Sequence, residues 1–574
     1  MQEMPEGGDT VDGRFAVGSD FFPRAGYDYQ LVLTRILEYA ARIRPRDEIV
    51  YRNLYRGNYA RLYERCLRLS KALVTLGVGR HTRVTVFEWN THRFLELYFA
   101  VPCMGAILHL GNPLLAPDQI AYTINHAEAE VLILNRDFIP LIQAISGKLQ
   151  TVRQYVVMAD DGQVPETNLR PVAEYEELLG SATADYDYPE LDENTVATIC
   201  YTTGTTGDPK GAYFTHRQAV LHTLTWANFF QGFLGERGID PRRDFFIHLV
   251  PMFHAHSWGI PYIATYLCTK QVYPGRFDPK VFLELVKTEK RPGQRAYAAS
   301  VATMLNAICY HPEVDHYREY LKGVTYVVGG TALPKGLASK ARELGMEAVA
   351  GWGMTEAFPV VGVSFLKPHM FDWPEEKKLD FLVRTGIPFP LVEQRVVDSE
   401  GKDVPKDGKT YGEIVLRAPW LTGGYVKEPE KSKELWRGGW LHTGDIATID
   451  EEDSLLIVDR DKDVIKSGGE WISTLILEDL LSMHSKVQEV AVIAARSERW
   501  GERPIAVVVP KKEFKDGISE DELKEYMKEH VETGRILKWW IPEKFLFVDE
   551  IPKTSTGKFN KKVLRPMYWD VLEK

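Results

Sequence analysis

Cysteine is scarce in this chain: five residues in 574 (Cys66, Cys103, Cys200, Cys268 and Cys309), with no CxxC pair and no regular spacing. That excludes a disulfide framework or a structural zinc as the organising device and points to a reducing, cytoplasmic compartment. An excess of positive charge is missing too. Lys and Arg number 70 against 80 Asp and Glu, a formal net charge of −10, which argues against a protein built to neutralise a nucleic-acid backbone. Anionic ligands held at local sites stay open. Internal repeats and low-complexity tracts are absent, and 44% apolar with 26% charged residues excludes fibrous and disordered classes. The opening MQEMPEGGDTVDG lacks a basic flank and an apolar core, so no signal peptide is predicted. From Phe245 to Cys268 there is no Asp, Glu, Lys or Arg, a run long enough to cross a bilayer. It also carries His248, His254, His256, Pro251 and Pro261, so a buried strand and pocket wall are expected rather than a membrane span.

What is present alternates. Short β-branched runs such as Arg83 to Phe87, Glu130 to Leu134 and Val196 to Tyr201 are separated by stretches with helical spacing such as Arg61 to Leu76. That rhythm predicts an α/β fold with largely parallel sheets. From about residue 380 the texture changes to short strands with close turn signals, so a small β-rich, barrel-like subdomain is expected over about 380–459. Residues 462–574 hold 20 Lys and Arg against 20 Asp and Glu. All of the net charge therefore lies upstream, and a boundary near Asp461 divides a large N-terminal part, 1–460, from a small α+β C-terminal domain, 461–574.

Several segments can carry chemistry. YTTGTTGDPKG, Tyr201 to Gly211, follows a buried-strand pattern and precedes a helix that Thr215 can cap. Its backbone N–H groups, hydroxyls and one lysine suit a phosphate, although the Walker A spacing cannot be laid on it and a flexible Thr/Gly turn has the same composition. Val324 to Pro334 is a strand ending in Gly329-Gly330-Thr331, where paired glycines let a planar ligand approach the backbone closely; an ordinary strand-to-helix turn reads the same way. In EAVAGWGMTE, Trp352 can stack on a base or simply fill core, Thr355 can hold a phosphate oxygen and Glu356 can ligate a hard cation. Asp445 in HTGD and Arg460 at the end of the next strand suit ribose hydroxyls, and both are also common turn and strand-edge residues. From Ile551 to Arg565 there are five basic residues and no acidic one, a solvated tail or a mobile loop whose Lys558 meets developing negative charge.

Taken together and in this order, YTTGTTGDPKG, GWGMTE, HTGD, DRDKDVIKSGGEWIS and PKTSTGK resemble the acyl-adenylate-forming superfamily. Detail around PMFHAHSWGIPY and RAPWLTGGYVKEP resembles its medium- and long-chain fatty acid CoA ligase branch. The resemblance implies a two-step reaction: a carboxylic acid and MgATP give an acyl adenylate and pyrophosphate, then CoA takes the acyl group and AMP leaves. It implies that Thr202, Thr203, Gly204, Thr205, Thr206, Gly207 and Lys210 grip the β- and γ-phosphates, with Glu356 and Thr202 on magnesium. Trp352 stands where the family usually has an adenine-stacking tyrosine, flanked by Gly330, Thr331, Ala350 and Gly351. Asp445 and Arg460 match the ribose pair, and Thr355 the α-phosphate contact. Lys558 resembles the mobile adenylation lysine, Lys462 the hinge, Lys466 its counterpart in the second conformation, and Trp471 a nucleotide contact. Ser467, Gly468 and Gly469 would line the CoA channel. His254, His256, Trp258, Gly330 and Gly351 would form the acyl pocket, with His256 standing where a fatty-acid enzyme more often has asparagine; a shorter, hydroxylated or aromatic acid is the alternative it raises, and a histidine satisfied in the wall is its plain explanation. The branch often forms homodimers, for which residues 1–50 offer no clear anchor. An acyl-AMP ligase that loads a carrier protein is a further alternative, less expected because Arg460 to Gly469 runs on without an insertion, and a non-catalytic nucleotide or lipid binder is another, set against the intact group Thr202, Glu356, Asp445, Arg460 and Lys558.

Overall fold

In the computed structural model the described residues are 26–202, 208–233, 238–460, 464–467, 470–515, 517–553 and 559–573, with residues 233, 460, 470 and 471 described by their backbone only. The architecture is mixed α/β, with two large sheets in the N-terminal part. The first has seven strands in the order Val172–Glu174, Gln154–Met158, Val131–Asn135, Arg83–Phe87, Ile107–Leu110, Val196–Tyr201 and Gly211–Thr215. All neighbours are parallel except the last pair, which runs antiparallel. Val131–Asn135 is buried at every position, as a strand covered on both faces must be.

The second sheet has nine strands, from Ile387–Pro388 through Val360–Val363, Met346–Gly353, Val324–Val328, Ala296–Ser300, Phe245–Ile247, Lys270–Tyr273 and Glu48–Tyr51 to Tyr55–Asn58. Its central strands are parallel. The helix His92–Cys103 is buried along all 12 residues, and its neighbours come from both sheets. A helix buried on every side takes such a position between two layers, and its charged residues are paired there, Glu96 with Arg65 and Arg93 with Asp160. The run without charges becomes the strand Phe245–Ile247, a tight turn and the short helix Ile260–Tyr266. Among the described residues no helix is long and apolar enough to cross a membrane.

Glu393–Val397, Gly412–Arg417, Leu441–Ile449 and Leu455–Arg460 form an antiparallel four-stranded sheet. It has two ends, and among the described residues no pairing closes it into a barrel. The C-terminal block carries its own sheet, built around the long hairpin Val487–Ser497 and Gly501–Pro510, and its own apolar core. All five cysteines are buried and free.

Candidate active site

The parallel strands of both large sheets end at one cleft, where ligands of α/β proteins usually lie. Its cavity volume is about 2500 Å³, and its walls include Thr202, Lys210, His254, Trp258, Trp352 and Asp445.

The phosphate-loop candidate spans the hairpin between Val196–Tyr201 and Gly211–Thr215. Its ends are fastened reciprocally: Thr202 N–H donates to the Lys210 carbonyl at 2.9 Å, and Lys210 N–H donates to Thr202 Oγ1 at 3.3 Å. A Cβ on Gly211 would stand 2.9 Å from the Tyr201 ring, so this glycine serves the hairpin itself. Thr215 caps the following helix as expected, accepting from Gln218 N–H while Gln218 Oε1 accepts from Thr215 N–H. Thr203, Gly204, Thr205, Thr206 and Gly207 lie outside the described residues.

Tyr425, a residue that sequence reasoning assigned no role, joins this loop to Glu356. Its hydroxyl donates to Glu356 Oε1 at 2.6 Å, and Lys210 Nζ stands 4.9 Å from its ring centroid. Its backbone bridges to Ala212, and the next residue, Val426, donates its N–H to the Gly211 carbonyl at 2.8 Å. Burial, and then the neighbouring Glu356 carboxylate, push the phenol up, so it stays a donor across the working pH range. The only trace in the sequence is the GGY of RAPWLTGGYVKEP, which carries no periodicity of its own. Glu356 sits in the 3₁₀ turn Thr355–Ala357, and Thr355 beside it also lines the cleft. One buried carboxylate, a nearby hydroxyl and a substrate's phosphates are the donor set magnesium takes, since that ion rarely needs an all-protein cage. Among the described residues no cluster of three or more His, Cys, Asp and Glu could hold a metal alone.

Trp352 and Asp445 meet from different sheets. Trp352 closes Met346–Gly353 at an irregular step in register, and its indole N–H donates to Asp445 Oδ2 at 3.0 Å. Asp445 in turn stands directly across from Arg460 in the antiparallel register. The Arg460 side chain lies outside the described residues, as does that of Trp471.

Near Trp258 the expectation for the glycine pair changes. A planar group does lie against Gly329, and it belongs to the protein: a Cβ there would stand 2.9 Å from Trp258 Cη2 and 3.0 Å from the Gly351 carbonyl. Gly330 has φ +71°, a conformation that only glycine adopts freely. The Thr331 hydroxyl accepts from Ala302 N–H at 3.1 Å, and the Ala350 carbonyl accepts from Ser364 N–H at 2.8 Å, so both have structural duties at the cleft wall. Gly351 admits the side chains of Val327 and Val363.

The wall itself is unusual. Ala255, His256, Ser257, Trp258 and Gly259 are consecutive left-handed residues, with φ of 44°, 55°, 50°, 57° and 77°. L-residues resist this conformation, and the surroundings hold it. Trp226 Nε1–H donates to the Trp258 carbonyl at 2.9 Å, Ser257 Oγ–H donates to the Val250 carbonyl at 2.8 Å, and Ala255 N–H donates to Cys200 Sγ at 3.3 Å. The turn delivers His254, Ala255 and Trp258 to the cleft but rotates His256 away from it. His256, expected in the acyl pocket, therefore does not line the cleft. It is fully buried, its ring stacks on Phe358 at 4.1 Å, and Nε2 bonds Thr198 Oγ1 at 2.8 Å. Burial pushes its pKa down to about 3, so it is neutral.

In the C-terminal block Lys466 reaches the cleft, with its main-chain N–H on Glu502 Oε2 at 2.8 Å. Ser467 is buried and accepts from Arg503 Nη1 at 3.3 Å. Lys462, Gly468, Gly469 and Lys558 lie outside the described residues. Asp459 supplies a further link that sequence reasoning missed: Oδ2 accepts from Thr474 N–H at 2.8 Å and from its hydroxyl at 2.6 Å, at the first turn of the helix Thr474–Ser482. Lys561 Nζ donates to the same hydroxyl at 2.5 Å and pairs with Glu478 at 2.7 Å.

Comparison with known proteins adds the family. Residues 37–426 match the AMP-binding enzyme family and residues 477–558 the AMP-binding enzyme C-terminal domain. A long-chain-fatty-acid CoA ligase from Thermus thermophilus is 43% identical over 554 residues, covering 95% of this chain and 97% of its own. A medium-chain-fatty-acid CoA ligase from Ectopseudomonas oleovorans is 34% identical over 551 residues, covering 95% and 97%. Among solved structures, a Mycobacterium tuberculosis fatty acyl CoA synthetase superposes with a TM-score of 0.69 at 26% identity, covering 94% of this chain and 99% of its own. An anthranilate CoA ligase holding anthranoyl-AMP has a TM-score of 0.80 at 23% identity, covering 95% and 99%, a likeness of fold.

Proposed function

The chain belongs to the AMP-binding enzyme family, and from that premise we propose that it is an AMP-forming acyl-CoA synthetase acting on medium- or long-chain fatty acids. The observation that carries this reading is the convergence of three unlike surfaces on one cleft: Thr202 with Lys210, Trp352 with Asp445, and His254 with Trp258. They suit a polyphosphate, a nucleoside and an apolar acid in that order.

In the first step a carboxylate oxygen bonds to the α-phosphorus of ATP as the bond to pyrophosphate breaks. The nucleophile is already anionic, so the residues supply position and charge rather than a base. Thr202 to Gly207 and Lys210 hold the β- and γ-phosphates, with Tyr425 fixing the lysine's side of the loop against Glu356. Trp352, Gly330, Thr331, Ala350 and Gly351 enclose adenine, Asp445 and Arg460 take the ribose hydroxyls, and Thr355 contacts the α-phosphate. Magnesium, held by Glu356 and Thr202 together with ATP, would neutralise phosphate charge. Lys558 bridges the acid and the nucleotide. In the second step the CoA sulfur bonds to the acyl carbon as AMP leaves and the thiol proton passes to solvent. The C-terminal domain, hinged at Arg460 to Lys462 with Lys466, Trp471 and Ser467 to Gly469 on its other face, turns between the two steps. His256 no longer argues for a polar acid, because its ring faces Phe358 rather than the cleft. The five buried free thiols favour the cytoplasm.

The test is CoA-dependent AMP formation across acids from C2 to C18, with benzoate and hydroxy acids. An optimum in the medium or long range supports the proposal; a sharp optimum below C5 sinks the fatty-acid assignment. ATP binding without pyrophosphate release for any acid points to a binder. Lys558→Ala should collapse pyrophosphate release while sparing CoA transfer from a preformed adenylate; near-normal release refutes its role.

A further inference from the structure

The hydrogen bond between Trp352 and Asp445 has a consequence for how this chain reads its nucleotide. The two residues are 93 positions apart and arrive on strands of different sheets, each with an irregular step in register close to the contact. Such bulges re-aim side chains. Here they aim an indole edge at a carboxylate with both groups nearly closed off, Trp352 at 8% and Asp445 at 2% exposure. An indole N–H can only donate, and a buried carboxylate bonded by a donor in a low-dielectric setting is held in one plane.

We propose that Trp352 is a positioning residue for sugar recognition: its N–H locks the Asp445 carboxylate in the orientation that accepts ribose hydroxyls, so that the base platform sets ribonucleotide selectivity. The proposal rests on the ATP reading of the cleft. A tyrosine would carry its polar atom at the far end of the ring, whereas tryptophan carries it on the ring edge. A phenylalanine keeps an aromatic face for adenine but has no donor. The face and the donor are thereby separable functions of one side chain. Without the indole the carboxylate loses one of the contacts that orient it, and a 2′- or 3′-hydroxyl meets a less firmly set acceptor.

The experiment compares kcat/KM for ATP, 2′-deoxyATP and 3′-deoxyATP in the full-length chain, using the best acid from the panel, for the wild type and for Trp352→Phe. The wild type should prefer ATP, and Trp352→Phe should narrow that preference by roughly tenfold, the range expected when a charge-assisted hydrogen bond is removed. A variant that loses activity on all three nucleotides by one common factor overturns the proposal and leaves Trp352 a stacking surface alone. Unchanged selectivity overturns it as well. If Trp352→Phe folds poorly, benzothienylalanine at position 352 supplies the same bicycle with sulfur in place of N–H, and the same narrowing is required of it. A wild type that consumes no ATP with any acid is a different failure, that of the proposed function.

Discussion

Tyr425→Phe deletes one oxygen and leaves the rest of the site in place. The phenol donates to Glu356 Oε1 at 2.6 Å inside a buried pair, while the ring sits 4.9 Å beneath Lys210 Nζ. Hydrogen bonds to charged acceptors are worth about 1.5–3 kcal/mol, and about 1.4 kcal/mol is a factor of ten. The carboxylate left behind, proposed above as the magnesium ligand, loses the orienting donor that Tyr425 supplies. The expected loss in kcat/KM for ATP is therefore roughly 10- to 100-fold. The ring and its contact with Lys210 survive, so Tyr425→Leu should lose about 0.5–1 kcal/mol more. The assay is steady-state pyrophosphate release against MgATP at saturating acid, with calorimetric ATP binding and thermal unfolding alongside. If Glu356 acts through phosphate charge that grows toward the transition state, the loss appears mainly in kcat. A Tyr425→Phe enzyme within twofold of wild type in kcat/KM would refute the assigned linkage, because no rearrangement is needed to accommodate the missing hydroxyl.

Two other perturbations separate parts of the cleft. Gly329→Ala places a methyl 2.9 Å from Trp258 and 3.0 Å from the Gly351 carbonyl, an overpacking that costs about 1–3 kcal/mol; kcat/KM for the preferred acid should fall about five- to a hundredfold with KM for ATP nearly unchanged, and an unaltered chain-length profile would show that the niche is slack. His256 is held near a pKa of about 3 by burial, against an unfolded value of about 6.5, so the unfolded chain takes up a proton first and the stability present above pH 6.5 is lost as pH falls toward 3. His256→Gln should flatten the dependence of unfolding free energy on pH between 4 and 6 by about 1.4 kcal/mol per unit; an unchanged slope in urea titrations would count against a neutral buried histidine.

Much of the layout was legible because its causes are local. The run VATICY needs only its own side chains to become the strand Val196–Tyr201, and Thr215 needs only Gln218 three residues on to cap the next helix. The charge-free run could be assigned to the interior by counting its histidines and prolines. The site was legible as a set of segments, but its wiring was not. Tyr425 and Glu356 are 69 positions apart, and Trp352 and Asp445 are 93 apart; no periodicity encodes such contacts. The glycine pair was expected to admit a planar ligand, and only the packed structure shows that the Trp258 ring lies against Gly329. His256 was drawn into the pocket by the resemblance carried by its neighbours His254 and Trp258, and the left-handed turn between them, which no residue pattern announces, carries it away from the cleft.

That turn bears on where substrate range is decided. Four non-glycine residues in the left-handed region represent about 4–8 kcal/mol of local preference overridden, comparable with the net stability of many whole domains. The segment stays folded this way because Thr198, Cys200, Trp226 and Val250 hold it from outside. Of these groups only Val250 lines the cleft, so the seat of Trp258 is maintained largely from behind the wall, by Thr198, Cys200 and Trp226. Variation at those distant places will surface as a drift in which acids are accepted well before it surfaces as unfolding, and relatives that agree at every cleft residue can still part company in the substrates they take.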